Sequence, residues 1–167
     1  MFGLSKQFLI FFGVGILAVL VAVVVILSST KGAHLELKGK IIKIRTGTLS
    51  DDDSIAVLDF RVENISDVPF VVREVDVTLD KPNGSSVQGA NVSRGDLKQL
   101  FQFNRFLGDQ YNDSLSIKDT IPPHGSVDRM VAARFDVKNQ DLEAAKAIHL
   151  SIQDMGGALF ETSRSVK

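Results

Sequence analysis

Two hydrophobic patterns divide this chain. From Phe8 to Leu27 the sequence FLIFFGVGILAVLVAVVVIL runs for 20 residues without a charge. A helix rising about 1.5 Å per residue needs roughly 20 apolar residues to cross a bilayer core of about 30 Å, so this run predicts one membrane-spanning anchor helix. Beyond it, apolar and polar residues alternate with period two, as in half-buried strands whose successive side chains point to opposite faces. Ala56, Leu58, Phe60 and Val62 make one row, with Asp59, Arg61 and Glu63 on the other face. Val75, Val77 and Leu79 make a second row, interleaved with Asp76, Thr78 and Asp80. Val131, Ala133, Phe135 and Val137 make a third, and Ile148, Leu150 and Ile152 a fourth.

Further strands are predicted over 35–44, around 115–121 and over 158–162, and a set of about seven short strands suits a two-sheet sandwich. The turn residues fall between them: 64–69 (NISDVP), 81–84 (KPNG), 122–125 (PPHG) and the Gly156–Gly157 pair. Two places depart from strand spacing. Leu97, Leu100 and Phe101 have helical spacing, with Asp96 or Ser93 as the cap, and 141–147 (DLEAAKA) is made of helix formers. The resulting organisation is a tail over 1–7, a transmembrane helix over 8–28, a linker over 29–34, a β-sandwich over 35–163 and a tail over 164–167.

A cleaved signal peptide is the rival account of the apolar run. Such leaders carry an apolar stretch of about 7 to 15 residues and a small-x-small cleavage site. This run is too long, and Thr30-Lys31-Gly32 is a poor site, so an uncleaved anchor is expected. Lys6 alone precedes the helix, whereas Lys31, Lys38, Lys40, Lys43 and Arg45 follow it, a bias that taken literally favours a cytoplasmic domain. A short tail before an apolar helix resembles a signal anchor, and long domains translocate largely regardless of charge, so an extracytoplasmic domain is expected. Ala18 and Ala22, near Gly15, have the small-residue spacing that lets membrane helices approach one another.

Composition narrows the chemistry. The part after the helix holds 18 of the 19 basic and all 20 acidic residues, a formal charge of −2. It has no run of Lys and Arg and no basic–aromatic cluster, which argues against nucleic acid as partner. The absence of cysteine excludes disulfides, thiolate metal sites and thiol catalysis, and mildly favours a bacterial envelope protein.

The succession 57–70 (VLDFRVENISDVPF), then Val75 to Asp80 and the Pro-Asn-Gly turn at 82–84, resembles the first half of late-embryogenesis-abundant type-2-like and related immunoglobulin-like sandwiches. Ile121-Pro-Pro-His-Gly-Ser126 is similar to their later Pro-Gly-Ser step. The resemblance covers roughly 35–162, and 92–112 departs from it as an insertion. It implies a mainly β, immunoglobulin-like (fibronectin III-like) antiparallel sandwich with one or two short helices and a membrane-tethered habit, and it brings no catalytic residues.

Of the candidate chemical groups, most have an ordinary structural use. His34, His124 and His149 lack a second ligand at metal spacing, and no Gly-x-Ser-x-Gly elbow presents a nucleophile. Asp51-Asp-Asp53 could offer oxygens to Ca²⁺ but fails the EF-hand spacing and reads as a solvated hairpin loop. Arg94-Gly-Asp96 spells a tripeptide read by some cell-surface receptors, yet Asp96 also suits a helix cap. Asn64, Asn83, Asn91 and Asn112 each stand in Asn-x-Ser form, as glycan acceptors in a eukaryotic secretory pathway or as turn residues in bacteria, the latter preferred.

The segment 97–111 (LKQLFQFNRFLGDQY) holds Phe101, Phe103, Phe106 and the sole tyrosine, Tyr111. Four aromatics so close together exceed what one helical face buries, so they are the expected partner-binding residues; the structural alternative closes the sandwich with Leu97, Leu100, Phe101 and Leu107. The expected protein is thus non-enzymatic and single-pass, anchored in the bilayer from Phe8 to Leu27. It needs no cofactor or metal and binds a protein partner rather than nucleic acid. The alternative is a small-ligand or envelope-polymer-binding module, or the accessory domain of an envelope enzyme.

Overall fold

The computed structural model describes the backbone of residues 6–30 and 35–166, and the side chains of residues 8, 11–25 and 35–166. The chain divides into two compact units, Met1–His34 and Leu35–Lys167. Most of the expected tail over 1–7, most of the linker over 29–34, and His34 lie outside the described residues.

The first unit holds helix α1 (Lys6–Thr30), 25 residues long. The described side chains at its centre include exposed Phe11, Phe12, Ile16, Leu17 and Leu20. Among the described residues no helix is long and apolar enough to cross a membrane. The spanning expectation therefore rests on the sequence of Phe8 to Leu27, whose last side chains fall outside the described set.

The second unit is a two-sheet β-sandwich. The strands are β1 (Leu37–Thr48), β2 (Ser54–Asn64), β3 (Phe70–Asp80), β4 (Ser86–Gln88), β5 (Ala90–Asn91), β6 (Thr120–Ile121), β7 (Ser126–Phe135), β8 (Ala147–Asp154) and β9 (Leu159–Arg164). One sheet has the order β1-β2-β7-β5 and the other β4-β3-β8-β9, with β6 beside β3. The sheet neighbours pair antiparallel, β2 running from Ser54 opposite Phe135 to Glu63 opposite Ser126. Alternation did its expected work on the inner faces: Ala56, Leu58, Phe60 and Val62 meet Val75, Val77, Leu79, Ile148, Leu150 and Ile152 in one core.

Residues 86–91 close one side by leaving one sheet for the other. Gln88 pairs with Thr78 and Ala90 with Arg134, with Gly89 at the crossing. A Cβ on Gly89 would lie 2.8 Å from the Phe135 ring and 2.9 Å from the Ala133 methyl, so only glycine passes this close to the core.

Three expectations about the strands need correction. The strand over 115–121 shrinks to Thr120–Ile121, which pairs with Phe70 and Val71; Lys118 sits at φ 70° and turns the chain just before it. The first strand starts and ends later than 35–44, reaching Thr48. The face of β2 assigned to solvent is covered at one end, because Ile55, Val57 and Asp59 are buried as fully as the row facing the core.

The cover is the 92–112 insertion. It holds α2 (Arg94–Phe103) and a 3₁₀ turn at Arg105–Leu107. Leu97 and Leu107 insert over Ile55, Val57, Met130 and Ala132 to form a second, smaller core on the outer face of the β1-β2-β7-β5 sheet. Burying two such leucines contributes about 1.5–3 kcal/mol each. Ser93 caps α2: its Oγ accepts from the Asp96 N–H and donates to Asp96 Oδ2 at 2.7 Å. The capping role considered for Asp96 is thus Ser93's, and Arg94-Gly-Asp96 is the first turn of this helix. The helix expected over 141–147 forms earlier, as α3 (Asn139–Glu143).

A candidate partner-binding groove

The insertion is fastened to the sheet by one guanidinium. Arg45, on β1, donates from Nε to Asp59 Oδ2 at 3.1 Å, and from Nη1 to the Leu107 and Asp109 carbonyls at 2.6 and 2.8 Å. Its Nη2 lies 2.9 Å from Asp59 Oδ2 without an aligned hydrogen bond. The Phe101 and Tyr111 rings both lie against it, their centroids 5.3 and 5.2 Å from the guanidinium carbon. Asn112 Nδ2 donates to the remaining Asp59 oxygen at 3.1 Å. Arg45 and Asp59 retain only 8% and 4% of their exposure. Sequence reasoning missed this pair because alternation put Asp59 in solvent. The available signal was the unbroken Ile55-Ala-Val-Leu58, since a strand buried on both faces reads as a continuous apolar run.

This arrangement sorts the four aromatics. Phe101 is partly buried against the second core and packs on Arg45, so it joins the structural set rather than the exposed one. Tyr111 is 63% exposed but lies over Arg45 and Lys43. Phe103 and Phe106 are 85% and 94% exposed. They rim a groove of about 950 Å³ bounded by Thr46 to Leu49 at the end of β1, by α2 and by α3. Leu49, Leu100 and Val92 add apolar wall. Asn139 Nδ2 and Thr46 Oγ1 both donate to Glu143 Oε1, at 2.7 and 3.3 Å, and Asn104 Nδ2 donates to the Thr48 carbonyl at 3.1 Å. The Oδ1 atoms of Asn104 and Asn139, also at this groove, have no donor among the described residues.

The other sequence candidates are tied into the scaffold. Asp51-Asp-Asp53 lies in the β1–β2 hairpin loop, where Asp53 accepts from Ser50 Oγ and Arg134. His124 pairs with Asp67 at 2.9 Å in its turn, and His149 with Asp80 Oδ2 at 2.7 Å. Ser86 Oγ donates to Asp80 Oδ1 at 2.7 Å, so hydroxyl and imidazole both face one carboxylate and not each other, unlike a nucleophile–base pair. Among the described residues no three His, Cys, Asp or Glu side chains gather as a metal site. Each of the four Asn-x-Ser asparagines bonds internally: Asn64 to Val68 and Ile121, Asn83 to Ser85, Asn91 to Val75 and Asn112 to Asp59.

Three partly exposed carboxyls add a modest acid dependence to stability. Hydrogen bonds from Ser50 first and Arg134 second hold Asp53 below the ordinary value of 3.8; Ser86 and then His149 do so for Asp80, and Arg61 for Asp128. A depressed folded value makes each contribution complete above the unfolded value and lost as pH falls through the folded one. Melting followed by circular dichroism is expected to show no dependence from these groups between pH 6 and 8 and a fall below about pH 4. The Asp128→Asn variant should show a shallower fall; a melting temperature that rises on acidification would contradict the assignment.

Fold and groove together define a two-sheet β-sandwich whose outer face carries a helical cover and an aromatic-rimmed groove. No family model matches the chain, and no curated protein matches it. Among solved structures it is similar to the archaellum periplasmic stator protein FlaG from Sulfolobus acidocaldarius, 11% identical over 77% of this chain and 98% of that chain, with TM-score 0.34. A protein from Archaeoglobus fulgidus is 18% identical over 80% of this chain and 98% of its own, with TM-score 0.37. An uncharacterized β-sandwich protein from Clostridium difficile is 10% identical over 79% and 82%, with TM-score 0.31. None of these likenesses bears on what the chain binds, and none extends the resemblance to late-embryogenesis-abundant type-2-like domains.

Proposed function

We propose that this is a non-enzymatic, single-pass membrane protein whose Phe8 to Leu27 helix anchors an extracytoplasmic sandwich that binds a protein partner through Phe103, Phe106 and the groove beside them. The observation that carries it is the pair of phenylalanines at 85% and 94% exposure, on a helical cover whose leucines and Phe101 are buried or partly so. Leaving two such rings in water forgoes burial that folding offers elsewhere, and aromatics of this kind concentrate interface energy. The anchor is supported by the 20-residue apolar run, within a helix whose 25 residues rise about 37 Å. An immunoglobulin-like assignment is supported by strand order, since β1-β2-β7-β5 against β4-β3-β8-β9 corresponds to ABED against C′CFG.

The test is the Phe103→Ser, Phe106→Ser double variant of the full chain, recovered from its own cells after crosslinking. Melting temperature is expected to stay within roughly 2 °C of the parent, as for exposed positions. Partner recovery is expected to drop at least tenfold. Unchanged recovery with an intact fold would overturn the reading. A small-ligand or envelope-polymer reading is favoured by one feature, the groove's volume of about 950 Å³. A ligand carried through purification and seen by native mass spectrometry would support it.

A further inference from the structure

We infer that the groove receives a segment of the partner protein carrying an apolar side chain flanked by lysine or arginine; this rests on the partner-binding reading above. Charge complementarity selects this occupant. Two carboxylates at the groove, Asp96 and Glu143, are paired with no cation among the described residues. The lining cation, Arg134, is already balanced by Asp53 at 3.0 Å and Asp136 at 3.4 Å. Asp51 and Asp52 stand outside the lining, on the hairpin loop that follows Leu49, with Lys138 4.0 Å from Asp52. Lys98 and Arg105, on the helical cover, are not among the lining residues.

The same charges argue against the other occupants. A second copy meeting it groove to groove would bring one set of carboxylates against another, and like charges across an interface are costly. An anionic lipid surface would be repelled too.

The experiment places photoreactive benzoylphenylalanine at position 106 of the full chain in its own cells and sequences the joined peptide by mass spectrometry. The expected product is a peptide with net positive charge and at least one large apolar residue. Glu143→Lys and, separately, Asp52→Lys are each expected to lower the yield about fivefold at equal protein level. Glu161→Lys, on β9 of the other sheet, should leave it unchanged. Asp52 is a highly exposed loop residue, so its variant keeps the test open if Glu143→Lys fails to fold. A product joined to lipid, to a second copy or to a neutral or acidic peptide would overturn the inference, as would yields indifferent to both reversals. No joined product at position 106 or, in a second variant, at 103 would overturn the partner-binding reading itself.

Discussion

Replacing Arg45 with alanine is expected to destabilise the sandwich by about 3–5 kcal/mol, because it strands the Asp59 carboxylate in a dry site. The substitution also removes both donors to the Leu107 and Asp109 carbonyls and the cation on which Phe101 and Tyr111 pack. For a domain of this size the melting temperature should fall by about 10–20 °C. Arg45→Lys should recover only part of the loss, since an ammonium cannot reproduce the planar fork that meets Asp59 and two carbonyls at once. The paired change Arg45→Met with Asp59→Leu should cost less than Arg45→Ala alone, because no unpaired charge is then left buried. Circular dichroism melts measure these effects, and the fluorescence of Tyr111, the sole tyrosine in a chain without tryptophan, reports release of the cover. A melting temperature unchanged in Arg45→Ala would mean that the insertion is held by Leu97 and Leu107 alone.

The second large effect is expected at Asn64, where alanine should cost about 2–4 kcal/mol. This side chain is fully buried and makes three hydrogen bonds: Nδ2 to the Val68 carbonyl at 2.8 Å and to the Ile121 carbonyl at 3.1 Å, and Oδ1 from the Ser66 N–H at 3.0 Å. It thereby joins the 64–69 turn to β6, while its own N–H donates to the Gly125 carbonyl ahead of β7. Asn64→Asp should be worse than alanine, because a carboxylate oxygen would then face two carbonyl oxygens. The same burial predicts that expression in a glycosylating cell adds no glycan at Asn64, whereas exposed Asn83 stays open to modification. Peptide mapping reads that outcome directly, and an occupied Asn64 in folded protein would contradict the burial.

Some features were legible from local pattern. Strands β2, β3, β7 and β8 show in sequence because each has one face on the main core, and the 64–69, 81–84 and 156–157 turns carry the residues such turns need. The aromatic segment was legible as unusual, but not which rings it would bury. Phe101 and Phe103 are two positions apart on one helix, and only the placement of α2 over Arg45 turns one inward and leaves the other out.

The long apolar run, the β-rich remainder and the position of the insertion are written locally, because periodicity and composition are properties of neighbouring residues. The burial of Arg45 with Asp59, the second core over the outer sheet face and the groove beside Phe103 and Phe106 arise only in three dimensions. Each of these joins residues distant along the chain: Arg45 meets carbonyls at 107 and 109, and Thr46 meets Glu143. No pattern of neighbours encodes such meetings, since they depend on which faces remain uncovered once the sheets have closed on their core.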